Sequence, residues 1–350
     1  MPNKRFNVLL VTVMILSLIL AACGGGASAQ KVCAVLDTGG ENDKSFNEFS
    51  LKGAREAAEA EGMEFAYIVS EAASDYEKNI QNFVEEGCGL IVTVGFLMGD
   101  ATAAAARANP DVKFAIVDFA YFPGPADQGG CGEVESCYSE EGGLSNVTSL
   151  MFAEDEVGYL AGTLAACMSQ TGVIGSVSGM EIPPVVRFVT GYQNAAKAMK
   201  PDIKTLNVYI PDFNDPATGK QAGLDFLGQN ADVIFGVGGN TGNGGLLAAH
   251  EAGKMAIGVD VDQYNTYPEV ASSLITSAAK NMDVATGNAV KEYAAGTLQG
   301  GIELATVANG GVGLASYHDW DSQIPAECKD AVEAAREGLA DGSISTGYTP

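Results

Sequence analysis

Lys31-Val-Cys-Ala-Val-Leu-Asp37-Thr-Gly-Gly-Glu-Asn-Asp43-Lys-Ser-Phe-Asn47 is the stretch that decides the fold. Residues 31–37 are apolar almost throughout and end in an acid, the pattern of a strand buried on both faces. A polar, glycine-containing loop follows. Residues 44–61, with apolar Phe46, Phe49, Ala54, Ala57 and Ala58, then read as a helix ending at Gly62. The remainder of the chain repeats this strand-loop-helix unit.

Further strands are expected at Glu64–Val69, Leu90–Val94, Phe114–Asp118, Val147–Met151, Val173–Val177, Ile203–Ile210, Val233–Val237, Met255–Val259 and Ser273–Ser277. Between most of them lie helical patterns. One is capped by Ser74, has Ile80, Phe83 and Val84 on one face and stops at Gly87; others cover about 98–108, 154–169, 183–199, 217–229, 243–252 and 280–296. Apolar strands separated by helices imply parallel sheets covered on both faces, and this many strands is too many for one open sheet. The irregular, Gly- and Pro-rich stretch Phe119–Ser145 divides two runs of units and reads as lying near a lobe boundary. The expectation is two α/β lobes with a cleft between them.

The amino terminus carries an address. Lys4 and Arg5 precede a 15-residue apolar run, Phe6 to Leu20, and small residues follow at Ala21-Ala22-Cys23. This is the layout of a secretory signal peptide, shorter than the ~20 residues that span a bilayer. Leu20-Ala21-Ala22-Cys23 also resembles the lipobox of bacterial lipoproteins, in which the cysteine is lipidated and becomes the mature amino terminus. Residues 1–22 are therefore expected to be removed, with 23–30 a flexible tether. The expected location is the cell membrane, lipid-anchored on its extracytoplasmic face.

Without residues 1–22 the chain keeps 328 residues, and its formal charge moves from −25 to −27, with 17 basic against 44 acidic side chains. Such a surface repels nucleic acid and anionic headgroups and disfavours a strongly anionic ligand. With five arginines, one of them in the signal segment, bidentate phosphate recognition has little to draw on. Six cysteines remain besides Cys23: Cys33, Cys88, Cys131, Cys137, Cys167 and Cys328. Outside the cell an even number suggests disulfides, and six cysteines allow 15 connectivities. No Cys-x-x-Cys occurs and there are two histidines, so neither a metal nor a cofactor is expected.

Open parallel sheets bind ligands beyond the carboxyl ends of their strands. Three of those ends are acids, Asp37, Asp118 and Asp260. One such acid can cap the next helix; three on one rim suit a polar ligand rich in donors. Gly236-Val-Gly-Gly-Asn-Thr-Gly242, with Asp260 eighteen residues on, only loosely imitates a dinucleotide fingerprint; its glycines suit close backbone approach to a ligand or a tight turn. Gly175-Ser-Val-Ser-Gly179 lacks serine at the centre of a nucleophile elbow, and neither His250 nor His318 has a triad around it. Catalysis is not expected. Phe46, in the first helix, and Phe188, with Tyr192 one turn on, come from opposite halves of the chain. Two opposed rings suit a flat ligand.

At Asp43-Lys-Ser-Phe-Asn47 the chain resembles the basic membrane protein family of ABC-transporter substrate-binding lipoproteins, whose best-known members are purine nucleoside receptors. The resemblance runs from about residue 32 to 345. It includes Gly158-Tyr-Leu-Ala-Gly162, Gly179-Met-Glu-Ile-Pro183, Arg187-Phe188, Val237-Gly-Gly239, Ile257-Gly-Val-Asp260-x-Asp-Gln263, Lys280-Asn-Met-Asp283 and Gly310-Gly-Val-Gly-Leu314. It implies the type I periplasmic-binding fold, two Rossmann-like lobes joined by three crossovers around a ligand cleft. The first lobe would be 31–145 with 281–316, and the second 146–280 with 317–350, including a helix at 325–340. The resemblance further implies that Phe46 and Phe188 sandwich a base and that Asn47 and Asp118 bond its edge. Asp260, Lys280 and the backbone of Gly238 and Gly239 would hold ribose hydroxyls, with Asp37 and Ser45 on the first-lobe wall. The implied ligand is a purine nucleoside (guanosine, inosine or adenosine), and the implied partners are an ABC permease and ATPase. Departures at Asn47-Glu48 and Val189-Thr-Gly-Tyr192, and the cysteines, leave riboflavin or a sugar as alternatives, and an extracellular nucleoside- or sugar-acting enzyme as the rival class. Three disulfides are expected. Cys33 with Cys88 is the best pair because both open strands that should be neighbours; Cys131 with Cys137 would close a small loop, and Cys167 and Cys328 remain for the second lobe.

Overall fold

The structure, a computed structural model, describes residues 30–125 and 130–349. The expected signal peptide 1–22, Cys23 and the tether up to residue 29 lie outside them. No helix among the described residues is long and apolar enough to cross a membrane.

The chain forms two parallel-stranded sheets. The first contains β1 (Lys31–Leu36), β2 (Glu64–Val69), β3 (Leu90–Val94), β4 (Lys113–Val117), β5 (Val147–Phe152) and β11 (Gly301–Ala305), in the order β2-β1-β3-β4-β5-β11. The second contains β6 (Val173–Ser178), β7 (Lys204–Tyr209), β8 (Val233–Val237), β9 (Met255–Asp260), β10 (Leu274–Lys280) and β12 (Val312–Leu314), in the order β7-β6-β8-β9-β10-β12. The two orders are the same, so the lobes are topological copies. Only β12, which pairs antiparallel with β10, breaks the parallel pattern. The central strands are buried on both faces because helices cover them, as their continuous apolar runs require.

The helices are α1 (Phe46–Ala60), α2 (Tyr76–Glu85), α3 (Gly99–Ala108), α4 (Glu154–Met168), α5 (Pro183–Met199), α6 (Pro216–Gly228), α7 (Gly239–Glu251), α8 (Gln263–Thr266), α9 (Met282–Ala295) and α10 (Ala326–Ala340). In the pairing of α4 and α5, a Cβ at Gly158 would collide with the Phe188 carbonyl, and one at Gly162 with that of Tyr192. The Gly158-Tyr-Leu-Ala-Gly162 notch therefore sets how closely α5, and Phe188 on it, lies to α4.

The structure departs from the sequence expectation in the lobe of two strands, in the edge strands β11 and β12, in the start of α7, and at Ser74, which lies in the turn Ala73–Asp75 and does not cap α2. The sequence expectation puts Val147–Met151 in the second lobe and 312–314 in the first; instead β5 pairs with β4, Phe114 opposite Val147, and β12 with β10, Ala278 opposite Leu314. The stretch 119–145 is thus an excursion within the first lobe, tied down by a Tyr138 hydroxyl that lies 2.7 Å from Ser149 and accepts from the Tyr121 N–H at 2.9 Å. A Gly- and Pro-rich excursion and a linker look alike in composition. β11 escaped notice because it is a half-exposed edge strand without a buried run. Helix α7 starts at Gly239, four residues before the expected 243, because its glycines let it lie against Val177, Pro216 and Val237.

Cys33 is bonded to Cys88, Cys131 to Cys137 and Cys167 to Cys328. The first ties β1 to the turn that leads into its neighbour β3, and the last ties α4 to α10 across 161 residues of chain. The chain passes between lobes after β5, after β10 and after β11.

Candidate functional site

The carboxyl ends of both sheets face one cleft. Asp37, Asp43, Phe46, Asn47, Phe96 and Asp118 line it from the first lobe, and Phe188, Phe213, Gly238, Gly239, Asp260 and Lys280 from the second. These side chains and backbone segments line one continuous space between the lobes.

Each wall is set by local chemistry. The Asp43 carboxylate accepts from the backbone N–H groups of Ser45, Asn47 and Glu48 at 3.0, 2.8 and 3.2 Å, closing the first turn of α1 and thereby placing Phe46 and Asn47. Asp37 Oδ1 accepts from Asn47 Nδ2 at 2.8 Å and from the Gly39 N–H at 2.9 Å, which leaves Asn47 Oδ1 buried and unbonded. Asp118 and Asp260, following β4 and ending β9, both have φ of +68°. Aspartate is among the few residues that tolerate the left-handed region, and strain of this kind clusters at functional sites. Gly238, at φ +117°, approaches Gly179 so closely that a Cβ would lie 2.7 Å from its nitrogen.

Lys280 occupies the centre. Its ammonium lies 2.6 Å from Asp118 Oδ2, 3.2 Å from Glu154 Oε1 and 3.9 Å from Asp260 Oδ1. The same nitrogen is 4.9 Å from the Phe46 ring centre and 5.8 Å from that of Phe188. Burial alone would push this lysine down, but the three carboxylates outweigh it and hold it above its ordinary value. The acids move up: burial, partly offset by Lys280, brings Asp118 to about 7 and Asp260 to about 6. Burial also brings Asp43 to about 7 and raises Asp37, against the bonds each accepts.

The lobes also touch at the cleft rim. Asn243 Nδ2 donates to the Asp43 carbonyl at 3.0 Å, Thr266 Oγ1 donates to the Lys44 carbonyl at 2.7 Å, and the Lys44 ammonium lies 3.8 Å over the Tyr267 ring.

Of the residues singled out in the sequence, Asp37, Phe46, Asn47, Asp118, Phe188, Gly238, Gly239, Asp260 and Lys280 converge on this cleft. Ser45 does not line it: the residue is fully buried, and its hydroxyl has no hydrogen-bond partner among the described residues. Tyr192 is core, its ring 5.0 Å from Phe235. His318 stacks on Tyr264 on the second lobe, away from the cleft. Glu154 and Phe213 were missed. Glu154 reads in sequence as an acid favoured at a helix start, and Phe213 as a lone aromatic in a loop.

The profile of the family described as ABC transporter substrate-binding protein PnrA-like (Bmp) matches residues 30–336. The ABC transporter nucleoside-binding protein BmpA of Lactococcus lactis is 33% identical over 338 residues, covering 90% of this chain and 88% of the relative. Basic membrane protein A of Borreliella burgdorferi is 30% identical over 303 residues, covering 84% and 83%. A crystal structure of an ABC transporter solute-binding protein from Aeropyrum pernix superposes with a TM-score of 0.79 at 26% identity, covering 90% of this chain and 92% of that one. A type I periplasmic-binding fold and a match along nearly the whole folded region place the chain in the PnrA-like (Bmp) family of ABC transporter substrate-binding proteins.

Proposed function

We propose that this protein is a lipid-anchored extracytoplasmic receptor that binds a purine nucleoside between its lobes and delivers it to the permease and ATPase of an importer. The observation that carries the reading is the placement of Phe46 and Phe188, from opposite lobes, around the same buried ammonium in one cleft. A flat base stacks between two rings, and base–aromatic stacking contributes ~1–3 kcal/mol per face. Asn47 Oδ1 and Asp118 Oδ1 are buried acceptors with no partner, suited to the N–H groups on a base edge. Asp260, Lys280 and the backbone at Gly238 and Gly239 supply acceptors and donors for ribose hydroxyls. The nucleoside-binding name of the Lactococcus lactis relative agrees with this. Four acids line the cleft and Glu154 backs them, and against this acidic wall only Lys280 and Arg187 stand, which opposes a phosphate, so nucleotides are excluded. The protein acts by binding and closing, and returns its ligand unchanged.

The anchor in this reading is Cys23. Intact-mass analysis of the membrane fraction should find a diacylated chain beginning there; an unlipidated chain beginning elsewhere refutes it.

The ligand is tested on lipid-free protein, unfolded and refolded to strip carried-over ligand. A thermal-shift panel should show stabilisation by guanosine, inosine or adenosine, and none by a nucleotide or ribose. A shift with riboflavin or a sugar and none with purine nucleosides rejects the ligand.

A further inference from the structure

Glu154 opens α4 just after the first crossover, and Lys280 ends β10 just before the second. The Glu154 side chain is sealed from water, and each of its oxygens serves one cation. Oε1 accepts from Lys280 Nζ at 3.2 Å, and Oε2 from Arg187 Nε at 2.6 Å. Arg187 directly precedes Phe188, and its Nη2 is buried without a partner. The same turn meets the third crossover. The Ala153 N–H donates to the Ala305 carbonyl at 2.8 Å, and the Val307 N–H to Glu156 Oε2 at 2.7 Å. All three connections between the lobes therefore converge on residues 153–156.

Burying a carboxylate this deeply strips it of its hydration, and apolar packing would serve the fold alone at least as well. Around Lys280 stand Asp118, Asp260 and Glu154; around Arg187 stand Glu154, Asp118 and Tyr348. Of the three acids facing the lysine, Asp118 and Asp260 line the cleft and Glu154 does not.

We propose that Glu154 is a positioning residue for ligand binding, gripping Lys280 and Arg187 from behind the cleft so that the ammonium stays between the aspartates of the two lobes. This rests on the nucleoside-receptor reading for its ligand, but the geometry is that of the protein alone. Glu154 does not touch the ligand. Its grip leaves Asp118 Oδ1 free for the cleft and fixes the turn of α5 that carries Phe188.

The test compares wild type, Glu154→Gln, Lys280→Met and the double variant. Guanosine affinity is read by calorimetry, and the Asp118 carboxyl is titrated by carbon NMR without ligand. Glu154→Gln should weaken guanosine binding by about tenfold or more. It should also move the Asp118 titration to lower pH, because the charge of Glu154 helps hold it up. Acting through the lysine, it should add little to the loss caused by Lys280→Met. Unchanged affinity with an unmoved titration overturns the proposal, and so does a fully additive loss in the double variant. A wild type that ignores guanosine while the Asp118 titration moves in Glu154→Gln refutes the ligand and leaves the grip standing. Should Glu154→Gln fail to fold, Glu154→Asp retains the charge on a shorter arm. It should then bind about tenfold more weakly, and wild-type affinity in that variant overturns the proposal.

Discussion

Lys280, the last residue of β10 in the second lobe, donates to Asp118, at the end of β4 in the first, over 2.6 Å, with side chains only 2% and 5% exposed. Both lobes together keep water from this ion pair. Buried pairs contribute little net stability, since lost hydration offsets attraction, but they demand one geometry. The pair thus specifies how the two lobes meet.

Stability of the ligand-free protein should fall as pH rises from about 4 to 7. Asp43 and Asp118 are raised to about 7 and Asp260 to about 6, from an ordinary 3.8, chiefly by burial. A carboxyl raised on folding contributes stability that is present below its unfolded value and lost as pH climbs through its folded value. The window is therefore about pH 4 to 7. Each kcal/mol lost lowers Tm by about 2–4 °C in a chain of this size. Calorimetry across this range should show the decline, and Asp118→Asn should flatten it. A Tm that climbs steadily to pH 8 contradicts the assignment.

The two phenylalanines should separate by their packing. Phe46 is partly exposed to the cleft, so Phe46→Ala should weaken guanosine binding roughly five- to hundredfold with little change in Tm. Phe188 is 2% exposed with its ring 6.0 Å from Phe235, so Phe188→Ala should also destabilise the fold, by about 3–5 kcal/mol. Titration calorimetry with thermal unfolding on both variants decides; undiminished affinity in Phe46→Ala removes that ring from the site.

Rim contacts should govern release. Thr266→Val removes the hydroxyl bonded to the Lys44 carbonyl, and Asn243→Ala the amide bonded to that of Asp43. Each loss of about 1 kcal/mol should speed ligand dissociation about fivefold and leave association almost unchanged. Stopped-flow measurement of both rates checks this, and slower association with unchanged release would contradict it.

The bridges should leave no free thiol in the unfolded, unreduced protein lacking Cys23. Replacing Cys167 and Cys328 by serine opens a loop of 161 residues and should cost about 2–5 kcal/mol, read as a lower denaturant midpoint. An unchanged midpoint would show that α10 holds without its tie to α4.

Much of the molecule was legible because its signals are local. Runs such as 31–36 and 233–237 are apolar without alternation, and only a sheet covered on both faces satisfies that pattern. The acids following β1 and β4 and ending β9 stand out because a buried strand has no use for a charge at its end.

Membership of the sheets was a different matter. β5 carries the same apolar pattern as strands of either lobe, β12 is a three-residue edge strand with a glycine at its centre, and what assigns both is where the chain crosses. A crossing is a long-range event that leaves no periodicity. Glu154 shows the same limit at the site. Alone it is an ordinary acid at a helix start, and its meaning comes from Arg187 and Lys280, 33 and 126 residues away. Hydrophobic period and turn chemistry determined the elements and most of the rim. The packing of two sheets and three crossovers decided which charges share one buried space, because the energy of a buried charge depends on neighbours that the chain brings together only when folded.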